Sequence, residues 1–557
     1  MNTRQRVWLA GAAVAVLAAA AYVNTLDGGW VWDDVSSVLL HRHVQDPSKI
    51  GQLFLEDQHA FGMGQGNFYR PLLSVSFMAD YLLSGGPSPE ATAASGKGYP
   101  DVPPLVFHLD SIGWHALAAV LLLLLLLRLG TPVAAAAGAA AVFAVHPLHT
   151  EAVAYISGRA DMMSAALMFA ALLLCLSGRG GARRALAGAA GMACLAGALL
   201  SKESSLVFPV LLAVVLGVDW AAKRASAEEA APRAAGHFAP LAAAVLVVGT
   251  YIALRATVLN FAPADAAATE AAPLGNRLVD VFQAFALYLR LLFLPTGLHM
   301  EWTLDGYPGW LALPGAAAFL ALVAAGVLAV RSGRFRIAGG ILWFIAAWLP
   351  ISGVFPINAP LAEHWMYVPM AGFWWAFMEG IHRERGAFRR VMPAAALALV
   401  LLFLPLTAAR NADWHDNERL FRATLAENPG SARVHYNLAV TYEDVLKNPA
   451  GARRHYEAAL RTGRAPDVAD IHLSLGRVLE RMNDPAAAAA EYERVLGRRE
   501  GAAELMVHAA LGLGRCRLAL GDWGGAMNVL QQLASREPGL LPEVERLFGA
   551  APFSEEY

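Results

Sequence analysis

The sequence predicts an all-α protein in two parts. A polytopic membrane domain occupies residues 1–410, and a helical-repeat solenoid follows over 411–557. Three observations lead there. The 557-residue chain is 57% hydrophobic and only 16% charged, whereas soluble domains average about 25% charged. Apolar runs recur from residue 7 to residue 408, and a membrane span needs about 20 mostly apolar residues. Beyond Arg410 those runs give way to Tyr, Leu, Ala and Gly at fixed offsets.

The same composition excludes other classes. A net charge of −2 provides no global basic surface for nucleic acid. Cys175, Cys194 and Cys516 lie far apart, so neither a disulfide framework nor a metal site follows from their spacing.

The first element, MNTRQR followed by VWLAGAAVAVLAAAAYV, has the basic start and Ala-rich run of a signal peptide. The many spans after it make it a retained anchor over 7–24. Further spans fall at 107–129, 132–147, 162–177, 185–200, 205–220, 238–258, 311–330, 337–351, 365–380 and 391–408. Segment 278–295 is apolar enough to insert but carries Asp280 and Arg290.

Basic clusters settle that segment through the positive-inside rule. They stand at Arg4/Arg6, Arg179/Arg183/Arg184, Lys223/Arg224/Arg233, Arg331/Arg334/Arg336 and Arg383/Arg385/Arg389/Arg390. All share one side only if 278–295 lies in the interface or re-enters. The expectation is therefore about eleven crossings, a cytoplasmic N-terminus and an extracytoplasmic repeat domain. Four polar stretches then share the outer face: the loop 25–106, HPLHTEAVAYISGRAD (146–161), SKESS (201–205) and GVFPINAPLAEHWMY (353–367).

The C-terminal part fits the tetratricopeptide pattern of about 34 residues. Gly514, Ala526, Leu530, Leu533 and Pro538 occupy its diagnostic positions, as do Gly476, Ala488, Tyr492 and Val495. Ala439, Ala452, Tyr456 and Ala459 repeat it with about one extra residue, and Phe421, Thr424 and Pro429 mark a leading half repeat. Such stacked helix pairs present a concave surface to a peptide or protein. The plain alternative is a packing lid on the membrane domain.

Within the outer stretches, GWVWDDVSSVLLHRH (29–43) places Asp33 and Asp34 side by side. Neighbours on a helix diverge by about 100°, so one carboxylate suits chemistry while the other caps the short helix VSSVLLHRH, or both simply cap and solvate it. Arg70, after Tyr69, can grip a lipid phosphate with its planar fork or merely snorkel. The connector collects His146, His149, Glu151, Arg159 and Asp161; the first three are spaced to serve a divalent metal, although Pro147 argues against a regular helix carrying both histidines, and the other reading is a polar pocket for a charged group. Lys202 and Glu203 form either a functional or a self-neutralising pair. Glu363 and His364 precede Trp365 and Tyr367, an interfacial aromatic arrangement. Ionisable residues at a membrane edge are costly to place and read as functional.

Taken in order, VWDD (31–34), YRPL (69–72), HPLHTEAVAYISGRAD, SKE (201–203), AEHWMYVP (362–369) and RNADWHDNERLF (410–421) resemble the transmembrane, tetratricopeptide-repeat-containing O-mannosyltransferases and their bacterial relatives. The resemblance covers nearly the whole chain. One departure is His364, where animal members tend to carry Arg. The resemblance implies a GT-C membrane glycosyltransferase with a polyprenyl- or dolichyl-phosphate sugar donor, mannose foremost, and transfer with inversion to a Ser/Thr hydroxyl on the extracytoplasmic face. It implies an acidic base in the first outer loop: Asp33, with Asp34 supporting or exchanging roles. Arg70, Arg159, Lys202, His146 and His149 would meet the lipid phosphate; Tyr69, Glu151, Asp161, Glu363 and His364 would shape the pocket. No cofactor or metal is required, membrane lipids surround the enzyme, and the repeats would bind the acceptor. The Ala-rich, short-looped composition points to a bacterial inner membrane with periplasmic repeats. Two other readings stay open: a transferase acting on a lipid or glycan, and a non-enzymatic scaffold recruiting proteins through its repeats.

Overall fold

The computed structural model describes residues 2–61, 67–95, 98–177, 181–226, 234–261, 274–355, 357, 359–382, 388–463, 465, 468–498 and 503–536. Arg179, Arg233, Arg383, Arg385 and Pro538 lie outside the described residues. Among the described residues every regular element is helical. The chain divides into two units, Met1–Asp416 and Asn417–Tyr557.

Among the described residues of the first unit, 7 helices are long and apolar enough to cross a membrane: Arg4–Thr25, Leu105–Arg128, Ile156–Leu176, Glu203–Arg224, His237–Ala256, Gly309–Arg331 and Val391–Asp413. An eighth arises if Val133–Ala144 and Pro147–Val153, bent by 53°, count as one span. The chain is thus a multi-pass membrane protein. The remaining expected spans are the helices Gly181–Leu199, Phe335–Trp348 and Tyr367–His382. They are shorter or less apolar than that standard. Segment 278–295 falls in a single continuous helix, Leu274–Phe293. Through Phe293 it does not turn back on itself. Phe285, Tyr288, Leu291 and Leu292 bury one face of it, with Phe285 edge-on to Trp348 at 4.7 Å.

Side chains tie the helix ends in two sets. At one end Arg128 donates to Leu176 O at 2.5 Å and pairs with Asp219 at 3.2 Å. At the other, Asn411 donates to Ala21 O and Asn24 Oδ1, each at 2.8 Å. Those last bonds explain a shifted boundary. The final membrane helix runs on as Phe388–Asp413, past the expected break at 410, because Arg410 and Asn411 are buried against the first unit.

The second unit holds a leading helix, Asn417–Glu427, and then three helix pairs. The second helices, Pro449–Arg461, Pro485–Leu496 and Trp523–Arg536, all begin the same way. Asn448, Asp484 and Asp522 accept a bond from the backbone N–H three residues on, at 3.0, 3.1 and 2.9 Å, satisfying a donor the helix leaves unpaired. The residue before each cap, Lys447, Asn483 or Gly521, takes a left-handed φ of 50°, 61° or 79°. The extra residue of the first repeat also has a physical home. Thr441–Val445 is a π-helical turn, a device that absorbs one residue within a helix.

The small positions of the pattern exist to admit large rings. A Cβ on Gly476 or Gly512 would lie 2.6 or 2.5 Å from atoms of the Tyr492 ring, a ring that is fully buried. Overpacking of this kind costs about 1–3 kcal/mol. Gly476→Ala should therefore lower the thermal transition of the repeat unit in a calorimetric scan, whereas Ala at exposed Gly430, which meets nothing within 4 Å, should leave it nearly unchanged.

Candidate functional site

The aspartate pair sits where the loop 25–106 meets the connector 146–161. Asp34 immediately precedes a π-helical turn, Val35–Leu39, yet its side chain does not cap it. The capping expectation fails for Asp34 because its oxygens are taken elsewhere. Oδ1 accepts from Ser157 N and Ser157 Oγ, both at 2.8 Å, and Oδ2 accepts from Val31 N at 3.2 Å. The residue is fully buried. Gly158, next to Ser157, makes this docking possible: a Cβ there would lie 2.4 Å from Glu151 O.

Asp33 is held differently. It is only partly buried, and Tyr155 donates its hydroxyl to it. Tyr155 is the middle of an aromatic stack, with Trp32 on one side at 5.8 Å and Trp414 on the other at 5.2 Å. Trp32 has a φ of 49°; a bulky residue in this left-handed region is strained, and strain of this kind clusters at functional sites. His59 feels the charges of both Asp33 and Arg70, while burial lowers its pKa. The route from Asp33 to Arg70 is completed by Ser37, whose Oγ is 3.4 Å from His59 Nδ1, and by Gln58, which accepts from Arg70 at 3.3 Å.

Around Arg70 the other motifs converge. Arg70 pairs with Glu203 at 2.9 Å, and Lys202 pairs with Asp161 at 2.6 Å. Lys202 and Glu203 therefore do not neutralise each other; each reaches across to a different motif. Tyr69 donates to Phe54 O at 3.1 Å, bracing the loop beside them.

A second polar group adjoins the Tyr155–Trp414 stack. Glu151 meets His364 Nδ1 at 2.9 Å and accepts from His364 N at 3.1 Å. Glu363 pairs with Arg410 at 3.1 Å, and Arg410 pairs with Asp413 at 2.9 Å while lying 5.8 Å from the Trp414 ring. His364 thus keeps a basic partner beside Glu151.

Three predicted phosphate ligands lie apart from both groups. Arg159 is wholly buried, pairs with Asp80 at 2.5 Å and Asp110 at 2.9 Å, and donates to Phe107 O at 2.7 Å. Its donors are spent on holding the loop to the helices, so it has no face for a phosphate. His146 contacts Leu292 O at 3.1 Å and accepts from Leu148 N at 3.2 Å. His149 is packed 4.3 Å from the Tyr367 ring with neither ring nitrogen hydrogen-bonded. The connector, expected to be an outward polar loop, is instead the buried floor beneath the loop 25–106. His146, His149 and Glu151 go to three different partners, and among the described residues no three His, Cys, Asp or Glu side chains gather to hold a metal.

Sequence reasoning missed His59, Gln58, Ser157, Tyr155 and Arg410 as site residues. Tyr155 and Ser157 stand inside the connector motif, and Arg410 opens RNADWHD, so their motifs carried the signal. His59 had none beyond its place in the loop.

The burial of Asp34 pushes its carboxyl from 3.8 up to about 7. Its folded-state pKa exceeds its unfolded one, so its contribution favours the folded loop at low pH and is lost as pH rises through about 7. Limited proteolysis of the loop 25–106 should be slower at pH 5 than at pH 8. Asp34→Asn should flatten that difference and speed cleavage at both, because the amide turns a donor toward Val31 N.

Comparison with known proteins follows from the whole chain. The tetratricopeptide repeat family is matched at residues 406–469, 445–503 and 473–539. The chain is 24% identical over 477 residues to the protein O-mannosyl-transferase TMTC4 of Mus musculus, covering 76% of this chain and 62% of that one. It is 25% identical over 511 residues to the protein O-mannosyl-transferase TMTC3 of the same species, covering 85% and 53%. With the protein O-mannosyl-transferase Tmtc3 of Drosophila melanogaster it shares 24% over 575 residues, 88% of this chain and 59% of the other. The chain thus spans between 53% and 62% of the length of these three relatives. No solved structure matches.

Proposed function

We propose that this protein is a membrane glycosyltransferase that moves a sugar, mannose foremost, from a polyprenyl-phosphate donor to a Ser/Thr hydroxyl of a protein. One observation carries the reading. Four motifs distant in sequence, the Asp-Asp pair, Tyr69-Arg70, Asp161 and Lys202-Glu203, are linked through Arg70: it pairs with Glu203, shares His59 as a neighbour with the partly buried Asp33, and lies within electrostatic reach of Asp161, which Lys202 pairs. The relatives named protein O-mannosyl-transferase support the same activity class.

Asp33 is the base. Its neighbour Asp34 has both oxygens engaged and no access to substrate. In the transfer, Asp33 accepts the proton of the acceptor hydroxyl as that oxygen attacks the anomeric carbon. The bond from that carbon to the phosphate oxygen breaks, and the lipid phosphate leaves with the electron pair. A single displacement inverts the anomeric centre. Arg70 and Lys202 stabilise the leaving phosphate, and the carboxylates of Glu203 and Asp161 hold both cations in position beforehand. Tyr155 aims the base. The second polar group, Glu151, His364, Glu363 and Arg410, shapes the far side of the pocket through the Trp414 stack.

The transfer takes place on the extracytoplasmic face, with the N-terminus cytoplasmic and the repeats presenting the acceptor protein; a bacterial inner membrane with periplasmic repeats is the setting. The test uses the full chain in liposomes with polyprenyl-phosphate mannose and a Ser/Thr-rich acceptor protein, read by mass spectrometry. Wild type should add a hexose, and Asp33→Asn should lower the rate by about 10²–10⁴-fold while acceptor capture persists. Full transfer by Asp33→Asn would remove the base assignment. Transfer to lipid or glycan alone would point to the other acceptor class. Capture without transfer from any lipid-phosphate sugar would make the chain a scaffold.

A further inference from the structure

Tyr251 and Arg255 stand one turn apart on the helix Ala234–Ala256, so they share a face. Neither belongs to the motifs that carry the family resemblance. Tyr251 is 8% exposed, and its hydroxyl makes no hydrogen bond among the described residues. Leaving a buried hydroxyl unpaired is costly. Its electrostatic neighbours are Glu203, Arg255, Arg70 and Tyr69, which puts it beside the Arg70–Glu203 pair.

Arg255 has an unusual set of partners. It donates to Asn67 O and Asn67 Oδ1, each at 2.7 Å, and to Leu259 O. Its guanidinium lies 5.8 Å from the centroids of both the Tyr69 and Phe261 rings. Arg70, Arg159, Lys202 and Arg410 each pair with a carboxylate. Among the described residues, Arg255 has only neutral oxygens within bonding distance. Asp57 is the nearby acid, and its two oxygens are taken by His59 N at 2.7 Å and Phe68 N at 2.6 Å. A cation whose hydrogen bonds all go to neutral oxygens, an unpaired hydroxyl and a second arginine therefore share one small region.

The same helix presents bare apolar side chains outward: Val245, Leu246, Ile252 and Leu254 are 55%, 70%, 51% and 44% exposed. In a helix of membrane-spanning length such a flank faces lipid chains. The anion that can approach this turn along that flank is a lipid phosphate.

We propose that the Tyr251–Arg255 turn is the docking site for the phosphate of the lipid-linked donor. Tyr251 donates its hydroxyl, and Arg255 and Arg70 donate guanidinium N–H groups, to the phosphate oxygens, while the lipid chain lies along the apolar flank of the helix. The proposal rests on the transferase reading and names the donor subsite of that same centre.

Binding tests it apart from catalysis. The full chain in nanodiscs would be titrated with a polyprenyl monophosphate lacking the sugar, with phosphatidylglycerol and inorganic phosphate as comparison probes. Tyr251→Phe and Arg255→Gln should each weaken polyprenyl phosphate binding about fivefold or more, and Arg255→Lys should recover part of it, with thermal transitions unchanged. Unchanged affinity in both variants would overturn the proposal. So would phosphatidylglycerol binding as tightly and losing as much, which would mark a general phospholipid site, or inorganic phosphate alone binding equally well, which would deny any part to the apolar flank. If polyprenyl phosphate binds as described but wild type transfers no sugar, the transferase reading fails and the subsite stands. If both variants bind and transfer like wild type, the subsite fails and the transferase reading stands.

Discussion

The structure of the membrane unit depends on one buried carboxylate. Asp34 joins the loop 25–106 to the connector through Ser157, at two distances of 2.8 Å across 123 positions of sequence. Burying an ionisable group is unfavourable unless its oxygens are met by donors, and here three donors meet them. Once that joint is made, Trp32 is carried into its stack on Tyr155, and Asp33 comes to rest beside Tyr155 and His59. The two aspartates are chemically alike. Position alone separates the buried tie, Asp34, from the partly exposed Asp33.

A second set of constraints directs each charge to a partner in a different motif. Pairing Lys202 with Asp161 and Arg70 with Glu203, rather than Lys202 with Glu203, cross-links the loop, the connector and the helix turn at 201–205. Breaking one partner of a buried pair leaves an uncompensated charge, and that penalty exceeds the worth of the pair itself. These ion pairs therefore specify geometry more than they add stability. Arg159 illustrates the purely structural end of that range, with Asp80 and Asp110 consuming its charge.

Much of the fold was legible in the sequence. Apolar run length located most membrane helices, and the fixed offsets of Gly476, Tyr492 and Gly514 located the repeats, because each reflects a local packing need. Segment 278–295 was harder, since Asp280 and Arg290 reduce hydropathy without revealing that one face of the helix is buried. For the site, residue type identified the acids and bases in Asp33, Arg70, Lys202 and Glu203. Partnership was not legible. Arg159 and His146 look like ligands in the linear motif, and only three-dimensional packing shows that Asp80, Asp110 and Leu292 O already occupy them. Arg255 was passed over for the opposite reason: it sits outside any motif, and that its hydrogen bonds go only to neutral oxygens is visible only once its neighbours are known.

The account's central claim is the division of labour between the two aspartates. An experimental structure of the Asp33→Asn protein with the sugar-loaded polyprenyl phosphate bound tests it most directly. The account predicts the anomeric carbon facing residue 33, with room for one acceptor oxygen between them, and Asp34 still bonded to Ser157. A sugar seated against Asp34, with the Ser157 bonds released, would contradict it.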